Sequence, residues 1–118
     1  MIISTQDTKM AILAALADKD VTKILNAVMV RSKSVNTIMR EQNIPYTTVY
    51  RKTKWLLNKG LLVVDRIEIT PDGKKSSLVH ATLQSIAVKY EQDGTIIIEA
   101  EENLNALKKV MKKFFSME

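Results

Sequence analysis

The chain has no cysteine and a single histidine, His80. Without thiolates there is no disulfide scaffold, iron–sulfur cluster, thiolate zinc site or cysteine nucleophile. One imidazole leaves little for a metal centre or a proton relay. No glycine-rich phosphate loop is present, since the chain holds 3 glycines in all. The longest apolar run, Met10–Ala17, falls well short of the ~18 residues that suggest a membrane span. The N-terminus lacks the basic-then-apolar pattern of a secretory signal. Adjacent Glu101 and Glu102 read as charges at a helix start rather than as an acid/base pair. These gaps point away from an enzyme, from metals or other cofactors and from the membrane, and toward a cytoplasmic protein.

The remaining composition is that of one globular domain. It has 118 residues, of which 46% are hydrophobic and 26% charged. The uneven quantity is charge, with 18 Lys+Arg against 13 Asp+Glu for a net +5. The excess sits in residues 31–60, on Arg31, Lys33, Arg40, Arg51, Lys52, Lys54 and Lys59, opposed there by Glu41 alone. Glu91, Asp93, Glu99, Glu101 and Glu102 form an acidic counterpart later in the chain. So lopsided a field orients a molecule on a polyanion, although a solvated helix face would carry the same charges.

Periodicity divides the chain without a linker or repeat. A first helix is expected from about Thr5 to Ala17, capped by Ser4 or Thr5. Asp20 is the expected cap of a second, whose Val21, Ile24, Leu25, Val28 and Met29 form one apolar stripe to about Arg31. Ser34 caps a short helix bearing Val35, Ile38 and Met39. Asn43 and Ile44 turn the chain. Pro45 suits the first position of a helix reaching Lys59, with Val49, Thr53, Leu56 and Leu57 inward and Gly60 as its stop. The period then falls to two. Leu61, Val63, Ile67 and Ile69 alternate with Arg66 and Glu68, Pro71-Asp72-Gly73 turns, and Ser77–Leu83 returns. Ile86, Val88 and Tyr90 open a second hairpin that turns at Gln92-Asp93-Gly94 and returns along Thr95–Ala100. A last helix is expected over about Asn103–Phe115, with Leu104, Leu107, Met111 and Phe114 as a seam widened by Val110 and Phe115.

Three helices ending in a basic one, then a hairpin, is the order of a winged helix-turn-helix. The segment Ser34–Leu62 resembles the DNA-binding part of winged-helix transcriptional regulators of the arsenical-resistance-repressor-like (ArsR-like) superfamily. Thr48, Val49, Arg51, Lys54, Leu56, Gly60 and Leu61 match its recognition-helix pattern. Thr53 stands where that pattern usually has leucine, Pro45 replaces the usual Ser or Thr cap, and the metal-sensing cysteines of some members are absent. The resemblance implies an α+β winged-helix fold with an additional hairpin and a C-terminal helix. The core would span 20–83, with 1–19 and 102–118 as helical extensions. It also implies a sequence-specific, duplex-DNA-binding regulator of transcription acting as a homodimer.

Helical spacing supports that expectation independently. With the apolar stripe inward, Tyr46, Thr47, Tyr50, Arg51 and Lys54 turn outward or sideways. Arg51 has the fork that guanine O6 and N7 accept; Tyr46, Thr47 and Thr48 suit phosphates or thymine methyls, and Lys52 and Lys54 the backbone. Lys74 and Lys75 tip the wing, and Lys33 and Ser34 open the preceding helix; together these residues are the expected DNA-contact set. Met10, Leu13, Leu16, Leu104, Leu107, Met111 and Phe114 are the expected dimer contacts. Duller readings stay open: solvated cations, tyrosines that only pack, a Trp55 against the wing or first helix, and a structural His80. So do a protein-docking winged helix and an RNA reader.

Overall fold

The computed structural model describes residues 1–105, which form four helices followed by two antiparallel hairpins, an α+β arrangement. The helices are α1 (Gln6–Leu16), α2 (Lys19–Ala27), α3 (Val35–Gln42) and α4 (Tyr46–Asn58). Strands β1 (Leu62–Ile69) and β2 (Lys75–Ala81) make the first hairpin, β3 (Leu83–Tyr90) and β4 (Ile96–Glu102) the second. Among the described residues no helix is long and apolar enough to cross a membrane. The expected helix over 103–115 lies largely outside the described residues, as do Leu107, Val110, Met111, Phe114 and Phe115. Leu104 and Asn105 have helical backbone, and Asn103 Oδ1 accepts the Asn105 N–H at 3.2 Å.

Caps and stops set the helix boundaries, with four departures from expectation. Thr5 occupies the first cap position, but its hydroxyl donates to Thr8 Oγ1 at 2.7 Å rather than capping. Asp18, not Asp20, caps α2: its Oδ1 accepts the N–H of Asp20 at 2.9 Å and of Val21 at 3.0 Å. Helix α2 also stops at Ala27 rather than near Arg31. Beyond it Val28 O accepts the Ala81 N–H, and Lys33 exchanges two backbone bonds with Val79, so the chain must straighten to run beside β2. Ser34 caps α3 as expected, and Asn43 ends it at φ 54°. Pro45 is the cap position of α4 rather than its first residue. Gly60, at φ 75°, closes α4 with Gly60 N–H on Leu57 O and Leu61 N–H on Leu56 O, the paired bonds of a Schellman end.

The helices and sheets share one core in which Ile12, Ile24, Ile38, Val49, Leu56 and Ile98 are fully buried. Each such side chain stabilises the fold by about 1.5–3 kcal/mol. Thr53, expected on the inward face of α4, is buried there, and its hydroxyl has no hydrogen-bond partner among the described residues. A buried polar joint closes the centre. His80 Nε2 meets Met29 O at 3.1 Å, and Asn103 Nδ2 donates to Met29 O at 2.8 Å and to Ala81 O at 2.9 Å. A carbonyl only accepts, so His80 carries its proton on Nε2.

In the first hairpin Leu62 pairs with Ala81 and Val64 with Val79; after a bulge at Asp65, Ile67 pairs with Ser77 and Ile69 with Lys75. Opposed residues share a face, so Leu62, Val64, Ile67 and Ile69 lie together while Val63 faces the other way. The expected set of Leu61, Val63, Ile67 and Ile69 is therefore corrected. The extra residue at the bulge switches the parity. The hairpin also outruns the helices, leaving Ile67 60% and Ile69 73% exposed. In the second hairpin Ile86, Val88 and Tyr90 share a face with Ala100, Ile98 and Ile96. Residues 1–3 run antiparallel along the outer side of β4, with Ile3 N–H on Ile98 O at 2.9 Å and Ala100 N–H on Met1 O at 2.8 Å.

Candidate nucleic-acid interface

Helix α4 buries Val49, Thr53 and Leu56 and turns its opposite side to solvent. Tyr46, Thr47, Tyr50, Arg51 and Lys54 are exposed there, and Thr48 is half-buried beside them. Tyr46 and Tyr50, one turn apart, stack with centroids 6.0 Å apart and planes at 17°, each 46% exposed. Lys54 Nζ lies 5.4 Å from the Tyr50 centroid, a cation–π contact that holds the ammonium on this side of the helix. The first two and a half turns of α4 thus carry aromatic surface, a hydroxyl and two cations on the exposed side.

The first hairpin stands across from this side of α4. An open cleft of about 530 Å³ runs between them, lined by Val35 and Asn36 of α3, Tyr46 and Tyr50 of α4, and residues 70–77 of the hairpin. The tip is built by its own sequence. Gly73, at φ 83°, donates to Thr70 O, and Thr70 N–H donates to Lys74 O at 2.8 Å. Thr70 Oγ1 donates to Asp72 Oδ1, holding that carboxyl below its ordinary value. Lys74 and Lys75 follow directly and line the cleft. Asn36, Thr70, Ser76 and Ser77 belong to it as well and escaped the sequence reading, because neutral polar residues carry no charge or period signal.

Tertiary pairing divides the basic block of residues 31–60. Lys33 Nζ lies 2.7 Å from Glu41, Lys59 Nζ 3.6 Å from Asp7, and Lys52 Nζ 2.5 Å from Asp18 and 3.9 Å from Asp20. The Lys52 ammonium, then the Val21 N–H, hold the Asp18 carboxyl below its ordinary value. Lys52 therefore ties α4 to α2 at the side away from the cleft, Lys33 is paired on α3, and the Ser34 hydroxyl caps that helix. Each of these three expected contacts thus has a structural partner within the chain. Among the described residues Arg51, Lys54, Lys74 and Lys75 have no salt bridge; Lys74 and Lys75 line the cleft, Lys54 lies over Tyr50 at its edge, and Arg51 is exposed on the other flank of α4, beside Lys52 and Trp55.

Four of the seven expected dimer contacts lie among the described residues. Met10 and Leu16 are exposed on α1, Leu13 is half-buried against the core, Leu104 is exposed, and Leu107, Met111 and Phe114 lie outside the described residues. Trp55 packs half-buried against the core beside Ala14 and Val21, on the helix side rather than toward the hairpin. His80 is wholly buried in the joint described above. Among the described residues no three His, Asp or Glu side chains gather as a metal ion requires. No family model matches the chain, and no curated protein matches it.

Proposed function

We propose that this chain is a sequence-specific, double-stranded-DNA-binding regulator of transcription built as a winged helix. Helix α4 enters the major groove and the β1–β2 hairpin acts as the wing on the flanking groove. The observation that carries this reading is the unpaired cationic rim. Three cations of the basic block have carboxylate partners within the chain, while among the described residues Arg51 and Lys54 on the exposed face of α4 and Lys74 and Lys75 on the hairpin beside the cleft have no salt bridge. Arg51 reads a guanine edge; Thr47, Thr48 and the tyrosine pair position the helix against phosphates and thymine methyls. As a homodimer the protein reads half-sites about one duplex turn apart.

Titration of duplex binding against salt is the test. Each neutralised phosphate contributes about −0.9 to the log–log slope, so four free cations give a slope near about −3.6. Arg51→Ala lowers discrimination at one base pair by about 1–3 kcal/mol. Absence of duplex binding at low salt sinks the reading.

One observation favours a second reading, a protein-docking winged helix without its own DNA specificity. Ile67 and Ile69 leave an apolar strip exposed on the same hairpin. Stable capture of a partner protein that is lost on Ile67→Ser/Ile69→Ser, with no duplex binding, decides for it.

A further inference from the structure

The second hairpin has one open side. On β4, Ile98 and Ala100 turn their backbone groups to residues 1–3, so Ile97, Glu99 and Glu101 turn theirs to β3. In the antiparallel register that directs Ser85, Ala87 and Lys89 inward, and the N–H and C=O groups of Ile86, Val88 and Tyr90 outward. Among the described residues nothing accepts or donates to those outward groups. Strand β3 has no proline, and its single irregularity, at Gln84, precedes the open stretch. The free edge of the other hairpin is defended by the Asp65 bulge and the Arg66–Glu68 pair in mid-strand. That of β3 has no bulge in its open stretch, and its ion pair, Lys89 with Glu91, lies at the end of the strand rather than in its middle.

We propose that this edge pairs with the same edge of a second copy of the chain, antiparallel and centred on Val88. Only registers that oppose even-numbered residues bring outward groups face to face. The Val88-centred one sets Ile86 against the second copy's Tyr90 and Val88 against its own counterpart. The side chains of Ile86, Val88 and Tyr90, the last two 44% and 75% exposed, then merge into one apolar face. On the opposite face the second copy's Lys89 falls beside Ala87, whose other neighbour in the row is Glu99. Ala87 is too small to shield the charge, so lysine and glutamate attract across it. In the single copy Lys89 lies 3.3 Å from Glu91 in an exposed pair of little worth, which is readily exchanged. This inference rests on the backbone of the second hairpin and stands apart from the DNA reading.

Concentration-dependent amide exchange on the full chain, with sedimentation, tests it. A dimer of this geometry slows exchange at Ile86, Val88 and Tyr90 as concentration rises, and leaves Ala87 and Lys89 unchanged. Val88→Pro removes an N–H that serves no bond among the described residues. It weakens association by at least about 100-fold while the far-ultraviolet spectrum holds. Lys89→Glu sets carboxylate against Glu99 and weakens association roughly fivefold without touching the backbone. A monomer at tens of micromolar overturns the proposal, as does equal exchange at Ile86 and Val88 at every concentration. So does a dimer that survives Val88→Pro and is lost on Leu107→Asp/Met111→Asp. A monomer that still binds duplex DNA removes this interface and leaves the DNA reading intact.

Discussion

The two hairpins share a plan and differ in decoration. Each ends in a tight turn with Asp-Gly at the tip. Gly73 donates to Thr70 O and Thr70 to Lys74 O; likewise Gly94 donates to Glu91 O and Glu91 to Thr95 O. The two glycines sit at φ 83° and φ 90°. The charges diverge. Residues 62–81 carry three cations and three anions, with two lysines at the tip, whereas residues 83–102 carry one lysine against five carboxylates. A polyanion attracts the first tip and repels the second. The difference teaches that the backbone supplies two equivalent arms and that only the side chains tell them apart; on the proposed readings one serves a groove and the other a partner strand.

The largest effect breaks that assignment. Lys74→Glu with Lys75→Glu removes two phosphate contacts, so the salt slope of duplex binding falls in magnitude by about 1.8 and affinity falls with it. Glu101→Lys with Glu102→Lys puts the same two cations on the other hairpin and leaves the slope unchanged. Equal slopes for both double variants refute the assignment.

A smaller effect tests how the arms are joined. Only Thr82 separates β2 from β3, and the Asn103 amide fastens the end of the second hairpin to Met29 O and Ala81 O. Asn103→Ala withdraws that donor from buried carbonyls and lowers stability by about 1–3 kcal/mol, read from the urea midpoint. Smaller again is Gly→Ala at the two tips. A methyl group at either glycine meets nothing within 4 Å, so the whole cost is the left-handed backbone, about 1–2 kcal/mol at each. Gly73→Ala and Gly94→Ala destabilise equally, and only Gly73→Ala weakens duplex binding.

Much of this fold is legible in the sequence because its signals are local. Ser34, Asn43, Gly60 and the two Asp-Gly tips each act within a few residues, and the element order follows from them. What the sequence hides is set at a distance. Lys52 reads as a DNA contact, and its ion pair with Asp18, the cap of another helix, leaves no trace in the sequence. Asp18 and Asp20 are equivalent caps on paper, and only the bonds to Asp20 N–H and Val21 N–H choose between them. The Asp65 bulge leaves no periodic trace until β1 is paired with β2, so the alternation misassigns Val63. The wing and α4 are each visible separately; their cleft is not, because its neutral members Asn36, Ser76 and Ser77 are recruited by tertiary placement.

The smallest expected effect is at the tip carboxyls, where the comparison is most closely controlled. Both sit below the ordinary value of 3.8, but for different first causes: the Thr70 hydroxyl for Asp72, and the Thr95 backbone N–H, then its hydroxyl, for Asp93. A lowered folded value means the bond stabilises the turn above about pH 4 and is lost as pH falls through that lowered value. Thr70→Val deletes the first cause at the wing and returns Asp72 toward 3.8. Thr95→Val deletes only the second cause and leaves Asp93 still depressed. Carboxyl chemical shifts followed through the acid range separate the two. Equal recovery in both variants means that the tips are held alike, and that the wing's turn has no side-chain lock of its own.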